Sequence, residues 1–191
     1  MKRDEPFDPD RTSSQLPEGL SYRIAIDGDR NALVELSAER NPTTTLEDVI
    51  KKTERELRTV VSDPKYKLFV ADLKGEVVGF CRFYDSAGLP EAKKRFPAPE
   101  GWYAMGILID ARFRRSGIAR FLSDSRIETL KELGAKEYYS IVDRKNQTSI
   151  HMHRRFGFEE IEKGPGFLHI EFESGSGILF RKTIRAAKET R

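Results

Sequence analysis

Trp102-Tyr103-Ala-Met-Gly-Ile107-Leu108-Ile109-Asp-Ala-Arg-Phe-Arg114-Arg115-Ser116-Gly117-Ile118-Ala119 is the stretch from which the rest of the chain is read. Its first eight residues are almost continuously apolar, the pattern of a central strand buried on both faces. Its last six are mostly basic or small. Beyond them Ile118, Phe121, Leu122, Ile127, Leu130 and Leu133 keep helical spacing up to Gly134, a helix-ending residue. A buried strand thus turns through a short Arg/Gly segment into a long amphipathic helix. The first turn of a helix has N–H groups without intrahelical partners, and the helix dipole adds positive potential there. Such a loop can wrap a pyrophosphate with its amides. Gly117 lets the backbone come close, and Arg112, Arg114 and Arg115 add charge. The same residues equally suit an ordinary strand-to-helix turn with solvated arginines, because short Arg/Gly-rich turns are common.

Working outward, residues 1–19 are polar, contain three prolines and read as a flexible or draped extension. The ordered domain is expected over 20–185, ahead of a basic tail at 186–191. Tyr22, Ile24 and Ile26 alternate as in a half-buried strand. A short helix is expected over 29–39, and a better one over 46–62, where Thr44 and Thr45 precede Glu47 and Asp48 at capping-box spacing. Pro64 ends it. Strands over 67–73 and 76–84 meet at a Lys74-Gly75 hairpin turn. Residues 85–100 form a long loop with three prolines. After the central stretch come a strand over 137–142, a helix over 147–155 and a strand over 158–162. A final pairing of 167–172 with 178–183 is expected across Ser174-Gly-Ser-Gly177. The order describes an α+β fold, with helices interrupting a mostly antiparallel sheet.

The totals narrow the function. With 191 residues one domain is expected, with room for a sizeable core. No apolar run approaches the roughly 18 residues that span a bilayer, and no apolar segment follows the N-terminal charges, so neither a membrane partner nor a secretory signal is expected. Cys81 is the sole cysteine, which excludes an internal disulfide and fits a cytoplasmic setting. The 34 basic residues nearly balance 31 acidic ones, which argues against a nucleic-acid partner but leaves room for a local phosphate site.

Arg114-x-x-Gly117-x-Ala119 resembles the Arg/Gln-x-x-Gly-x-Gly/Ala signature of the GCN5-related N-acetyltransferase (GNAT) superfamily. A second block, Asn146-Gln-Thr-Ser149-Ile-His-Met-His153-Arg-Arg-Phe-Gly157-Phe158, resembles that family's Asn-x-x-Ser/Ala…Tyr-x-x-x-Gly-Phe segment. The resemblance covers about residues 20–172. It implies the GNAT fold: a twisted sheet of six or seven strands splayed into a V that receives acetyl-CoA, with about four helices around it. Ile107, Leu108 and Ile109 would bond the pantetheine arm through their backbone. The amides of Arg114, Arg115, Ser116, Gly117, Ile118 and Ala119 would hold the pyrophosphate. Asn146, with Ser149 beside it, would orient the cofactor from the opposite side.

The implied reaction is attack of a neutral amine on the thioester, which needs a proton acceptor for the amine and a donor for the leaving thiolate. Where most of the family has tyrosine, this chain has His153. That departure resembles the phosphinothricin and amino-acid acetyltransferase branch, and it makes His153 the candidate acid or proton shuttle. The alternative is a histidine that only packs against the cofactor arm. The usual carboxylate of the central strand is absent. Tyr103 is the first candidate on the substrate side, followed by Asp85 and Glu100, and the base stays unassigned. No metal site is expected, because His151 and His153 do not share a helix face and further ligands are missing. Cys81, beside Phe80 and Phe83, reads as a small core residue.

Substrate choice should lie in residues 40–45 and in the loop 85–100, where Phe96 and Trp102 would shape an apolar mouth. Lys93, Lys94 and Arg95 would either attract an acidic group or stand solvated on a mobile loop. The leading expectation is a small-molecule amine acceptor. A protein N-acetyltransferase and a non-catalytic acyl-CoA sensor or scaffold are the rivals. The C-terminal basic residues Arg181, Lys182, Arg185, Lys188 and Arg191 are read as the end of a surface helix or part of a homodimer contact, rather than a nucleic-acid site.

Overall fold

The computed structural model describes residues 16–184. Strand β1 (Leu20–Ile24) opens the chain and leads into α1 (Arg30–Arg40) and α2 (Leu46–Ser62). Thr45 caps α2 as its spacing foretells, its side chain accepting from the Asp48 amide. The hairpin β2 (Tyr66–Leu73) and β3 (Glu76–Asp85) follows. It turns through Lys74 and Gly75, both at positive φ, the geometry that matches strand twist in a two-residue loop. Next come β4 (Trp102–Ile109), α3 (Ile118–Glu132), β5 (Glu137–Asp143), α4 (Gln147–Arg155) and β6 (Glu159–Gly164). Two-residue strands β7 (Gly166–Phe167) and β8 (Ile170–Glu171) precede the last strand, β9 (Gly177–Thr183).

The seven-stranded sheet runs β1-β2-β3-β4-β5-β9-β6, antiparallel except where β4 meets β5. Alternate residues of β2 feed the two faces. Leu68 and Val70 pack with Leu33, Leu36 and Leu57 of α1 and α2, while Phe69 and Ala71 pack with Ile118, Leu122 and Leu130 of α3 and Ile150 of α4. Helices on both sides explain why the middles of β2 (68–71) and β3 (77–81) are continuously apolar. They also set the functional geometry, with α1 and α2 on one side of the sheet and α3 and α4 on the other.

Several expectations are corrected. Residues 167–172 do not pair with β9. They fold back as the small β7–β8 pair, and β9 inserts between β5 and β6, where it hydrogen-bonds on both edges. Ile24, Ile26, Leu46 and Val61 are exposed. β4 is not buried on both faces: of its eight residues only Tyr103 is fully enclosed. The loop 85–100 is tied down, Phe96 exchanging backbone bonds with Leu168 at 2.9 and 3.2 Å. Lys94 pairs with Glu91 and Glu100, and Arg95 with Glu171, so two of the loop's three cations are already neutralised. Most of the proposed extension over 1–19, and Arg185, Lys188 and Arg191, lie outside the described residues. Among those described, no helix is long and apolar enough to cross a membrane.

Candidate active site

The half-exposed state of β4 has a local cause. Ile107 faces Cys81 and Ala104 faces Phe83, so Met105 and Gly106 together oppose the single residue Arg82. That is a bulge, with Gly106 at φ 95° supplying the bend. Beyond it β4 leaves β5: the two pair only over Trp102–Tyr138, Tyr103–Tyr139 and Ala104–Ser140. From Met105 to Ile109 the β4 edge towards β5 is open, and a cleft of about 860 Å³ fills the gap. Ile107, Leu108 and Ile109 line it, as do Asn146 and Ser149 of α4.

The cleft lining reaches Arg114, at the start of the turn before α3, and does not itself include Arg115, Ser116, Gly117, Ile118 or Ala119. Asp110 caps a short 3-10 turn, and Arg115 (φ 64°) and Gly117 (φ 85°) then reverse the chain into the helix. The amides of Ser116, Gly117, Ile118 and Ala119 have no acceptor among the described residues, as expected at a helix start. Ile118 anchors the helix in the core with no exposure. The Arg114 side chain turns away to pair with Glu39 of α1 at 2.6 Å, so the turn offers mainly backbone N–H groups. An open strand edge leading to unsatisfied amides at a positive-φ glycine fits the pantetheine arm and pyrophosphate of acetyl-CoA.

His153 is 9% exposed and has both ring nitrogens engaged. Nδ1 lies 2.7 Å from the Ser149 carbonyl oxygen and Nε2 2.7 Å from Ser140 Oγ. A carbonyl only accepts, so Nδ1 carries the proton and Nε2 accepts from the Ser140 hydroxyl. The ring stacks on Phe180 and meets the edge of Phe158. Burial pulls its pKa down against the raising effect of the Ser149 carbonyl, and Arg126 lowers it further, so the neutral imidazole predominates at pH 7. Asn146 caps α4 by accepting from the Ser149 amide, which fixes the turn that holds His153.

Tyr103, the sequence candidate for the substrate side, lines the cleft but is 1% exposed. Its hydroxyl donates to the Pro99 carbonyl at 2.6 Å, and burial raises its pKa, so it is a wall residue rather than a proton acceptor. Asp85 caps the next turn, and Glu100 is held by Lys94. Cys81 is fully buried, its thiol pushed up by that burial. His151 is exposed on α4 while His153 is buried, so the two do not converge.

Three cleft residues were missed. Ser140 gives no sequence signal beyond being a serine within a strand. His169, on the β7–β8 turn, reaches the α1/α2 side of the cleft from far along the chain. Its pKa is lowered by burial and by Lys93. Arg126 did leave a trace: Ile118, Leu122, Arg126 and Leu130 recur every fourth residue, which places an arginine on the buried stripe of α3.

The acetyltransferase (GNAT) family model matches residues 31–158. A mycothiol acetyltransferase from Propionibacterium freudenreichii is 27% identical over 175 residues, covering 87% of this chain and 50% of its own length. An N-alpha-acetyltransferase from Sulfurisphaera tokodaii is 28% identical over 95 residues, covering 49% of this chain and 57% of its own. The chain therefore spans about half the length of these curated relatives. Among solved structures, a ribosomal-protein-alanine N-acetyltransferase from Brucella melitensis superposes with a TM-score of 0.67 at 21% identity, over 85% of this chain and 99% of that one. Arabidopsis thaliana NAA60, in complex with acetyl-CoA, gives 0.63 at 16% identity, over 86% and 98%. By the family match and its shared fold, the chain belongs to the acetyltransferase (GNAT) family.

Proposed function

We propose that the protein transfers the acetyl group of acetyl-CoA to a primary amine that also carries an anionic group. The carrying observation is the cleft itself: an open β4 edge in a lining that reaches Arg114, three residues before the turn glycine Gly117, with His153 and Ser140 beside the point where β4 and β5 part. The amine arrives as an ammonium ion. His169, neutral at pH 7 and on the α1/α2 side, takes its first proton. The free amine attacks the thioester carbon. The tetrahedral nitrogen passes its second proton to Ser140 Oγ as the Ser140 hydroxyl proton moves to His153 Nε2. The imidazolium returns that proton through Ser140 to the sulfur after the C–S bond has broken, so the net transfer is from nitrogen to sulfur. His153 is then a shuttle, and burial keeps its charged form short-lived. A histidine at this position also supports the amino-acid acetyltransferase branch.

The charge of the walls supports an anionic acceptor. Arg40, Lys52, Arg82, Arg114 and Arg126 line the cleft against one carboxylate, Asp143. Arg82 is matched by Glu56 at 2.5 Å and Arg114 by Glu39, whereas Arg40 and Lys52 have no ion-pair partner among the described residues. A polycationic amine would meet repulsion here. A protein N-terminus is the second reading, favoured by the relative named as an N-alpha-acetyltransferase. Calorimetric titration with acetyl-CoA, on wild type and Gly117→Glu, tests the donor site: binding in the first and none in the second is expected. Thiol release with amino acids, polyamines and N-terminal peptides then ranks acceptors, and a preference for polyamines would overturn the anionic reading.

A further inference from the structure

Buried charges in folded proteins are paired or hold a ligand, because an unpaired ion loses its hydration without replacement. Arg126 breaks this rule. It is 4% exposed, yet its Nε and Nη1 have no hydrogen-bond partner and no carboxylate pairs with it among the described residues. Its guanidinium carbon sits 4.9 Å from the ring centroid of Tyr138, whose own hydroxyl is also buried without a partner. Among the groups that feel its charge are Tyr22 of β1, Cys81 of β3, Tyr138 of β5, His153 of α4 and Lys182 of β9. None is a carboxylate. Burial raises the pKa of the phenols and the thiol, which keeps them neutral at pH 7, and Lys182 is itself a cation, so none of these five groups supplies the missing negative charge.

The side chain is also placed to receive such a charge. Arg126 lines the same cleft as Ser140 and His153, on the α3/α4 side. An orphaned guanidinium opening onto a cleft offers fixed donors and a full positive charge to whatever enters. It shares that lining with Met105 and Gly106 of β4 and Ser140 of β5, the residues at which the two strands part, in the region that the acetyltransferase reading gives to the reacting end of the donor.

We propose that Arg126 is the counter-charge for an anion at the thioester end of the coenzyme A ligand: the leaving thiolate, or a carboxylate that closes the acyl chain. The inference rests on the acetyltransferase reading. Protonation by His153 and stabilisation by Arg126 act in sequence, because the sulfur carries negative charge as the C–S bond breaks and before the shuttle delivers its proton.

Calorimetric titration tests it with acetyl-CoA, free CoA, desulfo-CoA and succinyl-CoA on wild type, Arg126→Met and Arg126→Lys. Near pH ~8.5, where an unperturbed thiol is half ionised, Arg126→Met is expected to weaken free CoA about tenfold and spare desulfo-CoA if the anion is the thiolate. If it is an acyl carboxylate, succinyl-CoA weakens and acetyl-CoA does not. Arg126→Lys keeps part of the effect. The unliganded Arg126→Met protein should melt no lower than wild type, since an unpaired buried charge has gone. Ultraviolet titration of bound CoA gives a second readout: the thiolate forms at lower pH in wild type than in Arg126→Met. Equal shifts for charged and neutral ligands, or none, would overturn the proposal, as would a lower melting temperature without selective loss. Wild-type protein that binds no CoA compound would sink the acetyltransferase reading, whereas wild-type binding with an indifferent Arg126→Met sinks this inference alone.

Discussion

In the proposed mechanism His153 would accept a proton at Nε2 by way of Ser140, because its Nδ1–H is held on the Ser149 carbonyl. Replacing Ser140 by Ala should therefore resemble replacing His153 by Gln: kcat falls about 10²-fold or more in each, while acetyl-CoA affinity holds. Paired single and double mutants read this directly. A double mutant no worse than either single is expected, since the two groups act as one relay. The same histidine sets an acid sensitivity. Its folded pKa is depressed, so the unfolded chain binds the proton more tightly and stability rises with pH through that window. Wild type should lose stability as pH drops below about 6.5, and His153→Gln should flatten the slope of melting temperature against pH. Little of this was legible beforehand. The motif singled out His153 as a proton group, but the hydroxyl that its Nε2 meets belongs to Ser140, which lies on a different element.

At the scale of elements, the loop over 85–100 and the β7–β8 turn behave as one unit. Phe96 and Leu168 bond each other, and Gly166 has no room for a side chain. A Cβ there would stand 2.5 Å from the Ile170 carbonyl oxygen and 2.7 Å from the Phe96 ring. Gly166→Ala should shift His169 and raise KM for the amine several-fold. Its acetyl-CoA affinity should stay unchanged in calorimetry, because the Gly117 turn is not part of that unit. α3 offers the opposite case. Leu122 has no exposure, and Leu122→Ala should cost about 2–5 kcal/mol in chemical denaturation. The spacing of α2, α3 and α4 was readable because caps and periodicity are set by residues three or four apart. The half-exposed β4 was not: an apolar run reads as buried, and only the bulge at Gly106 shows it lining an open cleft.

Across the whole molecule the near-neutral charge hides an uneven distribution. Cations gather at the cleft although 34 basic and 31 acidic residues almost cancel. Charge reversal at both Arg40 and Lys52 should lower kcat/KM for an anionic amine by about tenfold and spare or improve a cationic one. Raising ionic strength should weaken the wild-type preference in the same direction.

The sequence alone determined the order of the helices and of strands β1 to β6, the glycine turn that opens α3, and the two motifs that carry the family resemblance. These depend on neighbours within a few residues, where capping, periodicity and backbone conformation act. The tertiary structure alone decided that β9 lies between β5 and β6, that β4 parts from β5 after Ala104, and that His169 faces the cleft holding His153. It also left Arg126 buried with two guanidinium nitrogens that have no hydrogen-bond partner among the described residues. Pairing and burial are contacts between residues far apart in the chain, and no local pattern records which distant group will fill or leave empty the space beside a side chain.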